Sequence, residues 1–275
     1  MSATVDITIP VYNEEEVLPS TIASLTEFLE NNLPNPWQVT IADNASTDST
    51  QAVSEMLARR HPGVNYLRIP QKGRGRALRT AWLDSHADIV SYMDADLSTD
   101  LSHFPQLIAA LEAGSHIAVG SRLSKESQVV RGFKREFISR GYNLLINSMF
   151  FIGLPDAQCG FKALTRATAE AIVPNIKNNN WFFDTELLII AAKGGFQISS
   201  LPVKWDDDPD STVNVAGTAT EDIKGLLRLR FGGVPKVSPP ASPSRREAEN
   251  WICLRPQDDV TDAPQILPQI SPSRW

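Results

Sequence analysis

The chain has 275 residues, 42% hydrophobic and 21% charged, which suits a water-soluble protein of one large domain or two small ones. A net charge of −6 gives no reason to expect nucleic acid as a partner. Two cysteines, Cys159 and Cys253, form neither a disulfide framework nor a metal-ligand spacing, so the chain reads as cytoplasmic and without zinc.

In chain order, Val5 to Ile9 reads as a strand and Glu14 to Asn31 as a helix, with Val17, Leu18, Ile22, Leu25, Phe28 and Leu29 on one face. The N-terminal stretch lacks the basic region and long apolar core of a secretory signal. Trp37 to Ala42 is a second strand, followed by the turn-rich DNASTDST, in which Ser46 or Asp48 is a candidate cap for a helix over 51–60. Val64 to Ile69, Gly75 to His86 and Ile89 to Met93 continue the alternation as strand, helix and strand. Such alternation means an α/β unit with a largely parallel sheet covered on both faces.

Beyond it, a helix is expected over Leu101 to Ala113, a short strand over Ile117 to Val119, and a long helix from Phe133 to Phe151, broken by Gly153, Leu154 and Pro155. Leu187 to Ala192 reads as a mostly buried helix, and Ile198 to Trp205 as a last strand before the acidic turn 206–211. Ile223 to Arg230, with Lys224, Arg228 and Arg230, is either a solvated terminal helix or a contact for an anionic membrane surface. No apolar stretch reaches the roughly 20 residues of a membrane span. Eight of the nineteen prolines fall in residues 232–275, which read as a proline- and serine-rich disordered tail behind a domain over 1–231.

Ligands of open α/β sheets sit beyond the carboxyl ends of the strands, and four such ends carry polar groups. Asp94 and Asp96 follow an apolar strand. Residues i and i+2 of an extended chain point to one side, so the two are expected to project together from the strand's carboxyl end, either as a site for Mg²⁺ or Mn²⁺ or as a polar turn. Asp43 and Asn44 offer acceptors to a nucleobase, and Tyr12 a stacking surface. Lys72, Arg74 and Arg76 alternate with Gly73 and Gly75, which lets the backbone approach a phosphate while cations neutralise it. A nucleoside diphosphate with a metal on Asp96 accounts for all four ends.

Residues 122–140 then carry Arg122, Lys125, Arg131, Lys134, Arg135 and Arg140 against Glu126 and Glu136, a cationic stretch in an acidic chain. Asp156 follows a helix break and precedes Lys162, which favours an active-site role. Asp184 and Glu186 open an apolar helix, where they either serve the site or complement the helix dipole. Cys159 has no histidine nearby in sequence to activate it and reads as a buried thiol. The four histidines do not pair at ligand spacing.

Taken in series, IPVYNEEE (9–16), ADNASTDST (42–50), GRGRALRTA (73–81), DADLS (94–98), GSR (120–122), DAQCGFKALTR (156–166) and WFFDTELL (181–188) resemble the family 2 glycosyltransferases of the GT-A fold. More narrowly they are similar to the polyprenyl-phosphate (dolichyl-phosphate) glycosyltransferases, over about residues 4–230. The resemblance implies a nucleotide-sugar donor, a polyprenyl-phosphate lipid acceptor, Mg²⁺ or Mn²⁺, and inversion at the anomeric carbon. It places Pro10, Tyr12, Glu14 and Asp43 along the nucleoside and Lys72 and Arg74 near the base or diphosphate. Asp94 falls to the ribose side, and Asp96 to the metal with Asp94 beside it. Arg122, Arg131 and Arg135 match positions that hold acceptor and donor phosphates, and Asp156 an acidic active-site position. Asn44 departs from the family, which often has a second aspartate there.

The resulting expectation is glucose transfer from UDP-glucose to polyprenyl phosphate at the inner face of the cell membrane, with peripheral contact through Phe133 to Leu154. GDP-mannose as donor, a glycan hydroxyl as acceptor, and an inactive nucleotide-sugar-binding relative are the alternatives.

Overall fold

The computed structural model describes residues 2–130, 133–206 and 215–240. The alternating first third forms as expected: β1 (Val5–Val11), α1 (Leu18–Asn32), β2 (Trp37–Asn44), α2 (Thr50–Arg60), β3 (Val64–Ile69), α3 (Arg74–Asp84) and β4 (Ile89–Met93). These strands lie parallel in the order β3-β2-β1-β4. α1 starts at Leu18 rather than Glu14, with Pro19 in its first turn, where a missing N–H leaves no intrahelical bond unmade. It buries Leu18, Ile22, Leu25 and Leu29, the stripe of an amphipathic helix. Ahead of α2, Asp48 Oδ1 accepts from the Thr50 N–H (3.0 Å), although Ser49 is the capping residue.

After β4, a single 3₁₀ turn (Leu101–His103) leads into α4 (Phe104–Glu112) and β5 (Ile117–Ser121). There follow β6 (Gln128–Val130), α5 (Phe133–Phe150), β7 (Phe161–Thr165), α6 (Arg166–Ile172), α7 (Phe183–Gly194), β8 (Ile198–Pro202), β9 (Lys204–Asp206) and α8 (Val215–Gly232). β7 and α6 are absent from the sequence reading. Lys162 interrupts the apolar run of β7, and the signal for α6 is Thr165, whose hydroxyl caps the helix by accepting from the Thr168 N–H. The single strand expected over 198–205 is two. Pro202 has no N–H to continue the ladder, and the chain crosses to pair β9 with β6 in a separate ribbon.

The main sheet has the order β3-β2-β1-β4-β7-β5-β8, and only β7 runs against its neighbours. The reversal joins two distant parts of the chain at the sheet's carboxyl edge. Met93 pairs with Phe161, so the segment entering β7 lies beside the segment leaving β4.

Alternate residues of β4 feed two cores. Ile89 and Met93 pack with α1 and α4, and Val90 and Tyr92 pack with α3, α6 and α7. α7 is buried from Phe183 through Ala191. α8 lies against this second core through Leu226 and Leu229. Beyond it, Val234 and Val237 also pack there, so the packed chain continues past 231; residues 241–275 lie outside those described.

α8 approaches closely because residue 225 is glycine: a Cβ there would fall 2.3 Å from the Phe182 ring. Gly225→Ala is expected to destabilise the protein by about 1–3 kcal/mol through overpacking, measurable as a lower denaturant midpoint at unchanged slope.

Candidate active site at the carboxyl edge of the sheet

The crevice lies where the chain order reverses, between β1 and β4. At the β2 end, Asp43 is fully buried. Its Oδ1 accepts from the Ser46 N–H (2.9 Å), and its Oδ2 from the Tyr66 hydroxyl (3.0 Å) and from Arg68. Burial raises its pKa, but the bonds from Ser46, Arg68 and Tyr66 outweigh it and hold the carboxyl below its ordinary value. The same contact, added to burial, pushes the Tyr66 phenol up to about 12. Neither Tyr66 nor Arg68 stands out in the sequence, since both sit inside β3 with nothing local to distinguish them.

Asn44 does not face a base. Its Oδ1 accepts from the Gly73 N–H (2.5 Å) and so fixes the loop at residues 72–75. Gly73 has φ +152°, and a Cβ there would meet the Asn179 carbonyl at 2.5 Å. The loop therefore needs glycine for both conformation and room. From it Lys72 extends over the Tyr12 ring, 3.4 Å from the centroid. Pro10, the last residue but one of β1, lies opposite Ala42, and the Glu14 N–H donates to Thr50 Oγ1 (2.9 Å).

Arg74 is nearly buried and its fork is used twice, by Asp94 Oδ1 (2.5 Å) and by Asp184 Oδ2 (2.7 Å), with its face against Tyr92 and Trp181. Asp184 also takes the Tyr92 hydroxyl (2.5 Å) and Lys162 Nζ (3.1 Å). Burial works against its charge, but Lys162 and Arg74 prevail and the carboxyl stays below its ordinary value. Arg74, expected near the base or diphosphate, braces two acidic residues 90 positions apart in the chain.

Asp94 and Asp96 lie in a turn rather than on the end of the strand. β4 ends at Met93, and the Leu97 N–H bonds back to the Asp94 carbonyl (3.1 Å), closing a turn whose Leu97 has φ +50°. The two-residue alternation of an extended chain stops before it reaches them. Ala95 is buried and anchored by Thr21 Oγ1 on its carbonyl (2.5 Å), while Asp96 is exposed. Asp94 Oδ2 lies where a Cβ on Gly160 would stand 1.8 Å away.

The described residues hold no group of three or more His, Cys, Asp or Glu suited to a metal. An ion such as Mg²⁺ needs no such cage, since it commonly takes one or two carboxylates and completes its shell with substrate phosphates and water. The hard oxygens of exposed Asp96 fit that role. Asp94, with one oxygen in the fork of Arg74 and the other against Gly160, fits it less well.

At the end of β5, Arg122 clamps Asp156. Its Nε and one terminal nitrogen reach Oδ2 (2.9 Å) and Oδ1 (3.0 Å), and its own N–H donates to Oδ2 (3.1 Å). The Gln158 N–H adds a bond to Oδ1 (3.1 Å). The Trp205 ring covers the guanidinium at 4.9 Å. Desolvation opposes the carboxylate, but Arg122 and then Lys162 more than compensate, and Asp156 remains ionised below the usual range. Cys159 is buried beside this pair, and burial pushes its thiol up to about 12, as expected of an inert sulfur.

Arg131 lies outside the described residues, and Arg135 is placed only by its position in the first turn of α5. Glu186 is neither a dipole complement alone nor a reacting group. It is fully buried and accepts from Lys177 N–H, Asn178 N–H and both arms of Arg228 (2.9 and 2.7 Å). Arg228 is therefore turned inward.

Residues 6–173 match the family model for glycosyl transferase family 2. The chain belongs to that family. It is 33% identical over 225 residues to glycosyltransferase AglD of Haloferax volcanii, covering 81% of this chain and 35% of the relative. It is 30% identical over 221 residues to the dolichyl-phosphate beta-glucosyltransferase ALG5C of Trichomonas vaginalis (76% and 66% covered). With the dolichyl-phosphate beta-glucosyltransferase of Saccharomyces cerevisiae the identity is 27% over 245 residues (82% and 73% covered). The chain thus spans about a third of the length of AglD and just under two thirds of ALG5C. Glucosyl-3-phosphoglycerate synthase from Mycobacterium tuberculosis, crystallised with Mn²⁺, UDP and phosphoglyceric acid, superposes with a TM-score of 0.64 at 17% identity, covering 84% of this chain and 79% of that one. Its complex with Mg²⁺ and UDP gives 0.62 at 19% identity, covering 84% and 80%. These likenesses establish the GT-A fold, with its mostly parallel sheet between helices.

Asp43, Asp156 and Asp184 all sit below their ordinary pKa. The stability they confer is present above the unfolded value near 4 and is lost as pH falls from there through the folded values. Arg122→Gln, which removes the largest favourable partner of Asp156, should move the acid-unfolding midpoint to higher pH in a fluorescence titration.

Proposed function

We propose that this chain is a metal-dependent inverting glycosyltransferase that moves glucose from UDP-glucose to a polyprenyl phosphate such as dolichyl phosphate. The observation that carries the reading is the closed Asp156–Arg122 pair. A carboxylate that accepts four hydrogen bonds and is held below its ordinary pKa is a poor proton acceptor. It suits an acceptor that needs no deprotonation, and a phosphate monoester is largely ionised near neutral pH. Asp156 then orients Arg122 and the loop before β7 rather than abstracting a proton. Relatives named dolichyl-phosphate beta-glucosyltransferase support glucose and a lipid phosphate as substrates.

In this reading Pro10, Tyr12, Glu14 and Asp43 line the nucleoside, and Lys72, held over Tyr12, flanks it with positive charge. Asp94 keeps the turn in place through Arg74. Asp96 would hold Mg²⁺ or Mn²⁺, and the ion, when bound, supplies Lewis-acid stabilisation of the departing diphosphate. Arg131 and Arg135 hold the acceptor phosphate by charge-assisted bonds, and Arg122 stays with Asp156 at the rim.

No helix among the described residues is long and apolar enough to cross a membrane. Peripheral contact is supported by exposed Phe137, Ile138, Leu144 and Leu145 on α5 and by Ile223, Leu227 and Phe231 on α8. The catalytic domain is assigned from the N-terminal strand through Val237, which still packs on the second core, with the proline-rich remainder as its tail.

With Mn²⁺, UDP at about 100 times its dissociation constant should raise Tm by roughly 5–10 °C, and more than GDP does. Asp96→Asn should erase the metal-dependent part; a larger shift with GDP would move the donor to GDP-mannose. In a transfer assay with UDP-glucose, Arg131→Ala and Arg135→Ala should each cut transfer to polyprenyl phosphate by roughly 10- to 100-fold. Equal losses with a glycan acceptor, or no transfer by wild type, would remove the lipid phosphate from the reading.

A further inference from the structure

Asp222 lies on the inner side of α8 and is 4% exposed. Its Oδ2 accepts from Gln158 Nε2 (3.1 Å), and its Oδ1 is buried with no hydrogen-bond partner among the described residues. Two groups face it from the packed elements. The Tyr142 hydroxyl of α5 acts on it but is directed to Thr185 Oγ1 of α7 (3.3 Å), and Glu221, on α8 itself, adds like charge. No cation pairs with it among the described residues, unlike Asp43, Asp94, Asp156, Asp184 and Glu186. A half-satisfied buried carboxylate is costly to keep.

What it does hold is Gln158, whose N–H donates to Asp156 Oδ1. Through Asp222, α8 thereby reaches the loop of Asp156. The loop of Asp156 is fixed from α5 by Asn143, bonded to the Leu154 and Pro155 carbonyls and to the Ala157 N–H. Gln158 is its anchor on the opposite side.

We propose that Asp222 is a positioning residue for the transfer reaction, retained at a cost in stability because its carboxylate fixes Gln158 and, through it, the Asp156–Arg122 pair. Burial, with Glu221 adding to it, pushes the Asp222 carboxyl up to about 6. The folded state therefore prefers the protonated form. The cost is absent below the unfolded value near 4, grows as pH rises, and is full above about 6.

The decisive variant is Asp222→Asn, which keeps the shape and removes the charge. At pH 7.5 its Tm should exceed that of wild type, with the gain fading as pH approaches 4. Its kcat for glucosyl transfer should nonetheless fall about tenfold, as expected of a displaced active-site group, with the KM for donor unchanged. Gln158→Ala should reproduce the loss in kcat without the gain in Tm. A residue that served only the fold would lose Tm on substitution and leave kcat alone. Either a lower Tm for Asp222→Asn at pH 7.5 or wild-type kcat in both variants overturns the proposal. The kinetic arm rests on the proposed glucosyl transfer. If wild type transfers nothing, that function fails; an active wild type matched by equally active variants refutes the role of Asp222 alone.

Discussion

The guanidinium of Arg74, forked between Asp94 and Asp184 under the Tyr92 and Trp181 rings, is the interaction on which the edge of the sheet depends. Carboxylates gathered at one edge of a sheet repel strongly where the space is partly dry. The chain gives five of its acids fixed partners: Asp43 with Arg68, Asp94 with Arg74, Asp184 with Arg74 and Lys162, Asp156 with Arg122, and Glu186 with Arg228. Breaking any one of these would leave a buried charge uncompensated, which is far more costly than the pair is stabilising. The pairs chiefly fix geometry.

That geometry separates two kinds of acid. Asp43, Asp156 and Asp184 are held ionised, and the paired acids together orient loops and cations. Asp96 stands exposed on a turn pinned by Thr21 through Ala95. Asp222 is the exception, buried and without a cation among the described residues.

The parallel half of the fold is legible because it is built from local signals: apolar strands, amphipathic helices and turn residues at each carboxyl end. The candidate residues are legible in type but not in partnership. Nothing in the sequence near Asp94 announces Arg74, twenty positions earlier, or Asp184, ninety later. The pleat that the sequence suggests for Asp94 and Asp96 has already given way to a turn where they stand. β7 escapes notice because its buried Lys162 reads as a surface residue until Asp184 is seen beside it. Asp222 has no local mark at all, since an acid in a helix is ordinary until its surroundings are known.

The reversed strand β7 divides the labour of the chain. Everything before Asp94 builds the four-stranded parallel half, and the rest joins it along the antiparallel seam of β4 and β7, where Gly160 abuts Asp94, and through α3, whose Arg74 reaches Asp184. At the seam the room is less than one methyl group. A substitution at residue 160 or at Arg74 is therefore felt on both sides of the seam at once, because neither position has slack to absorb a change made on the other side.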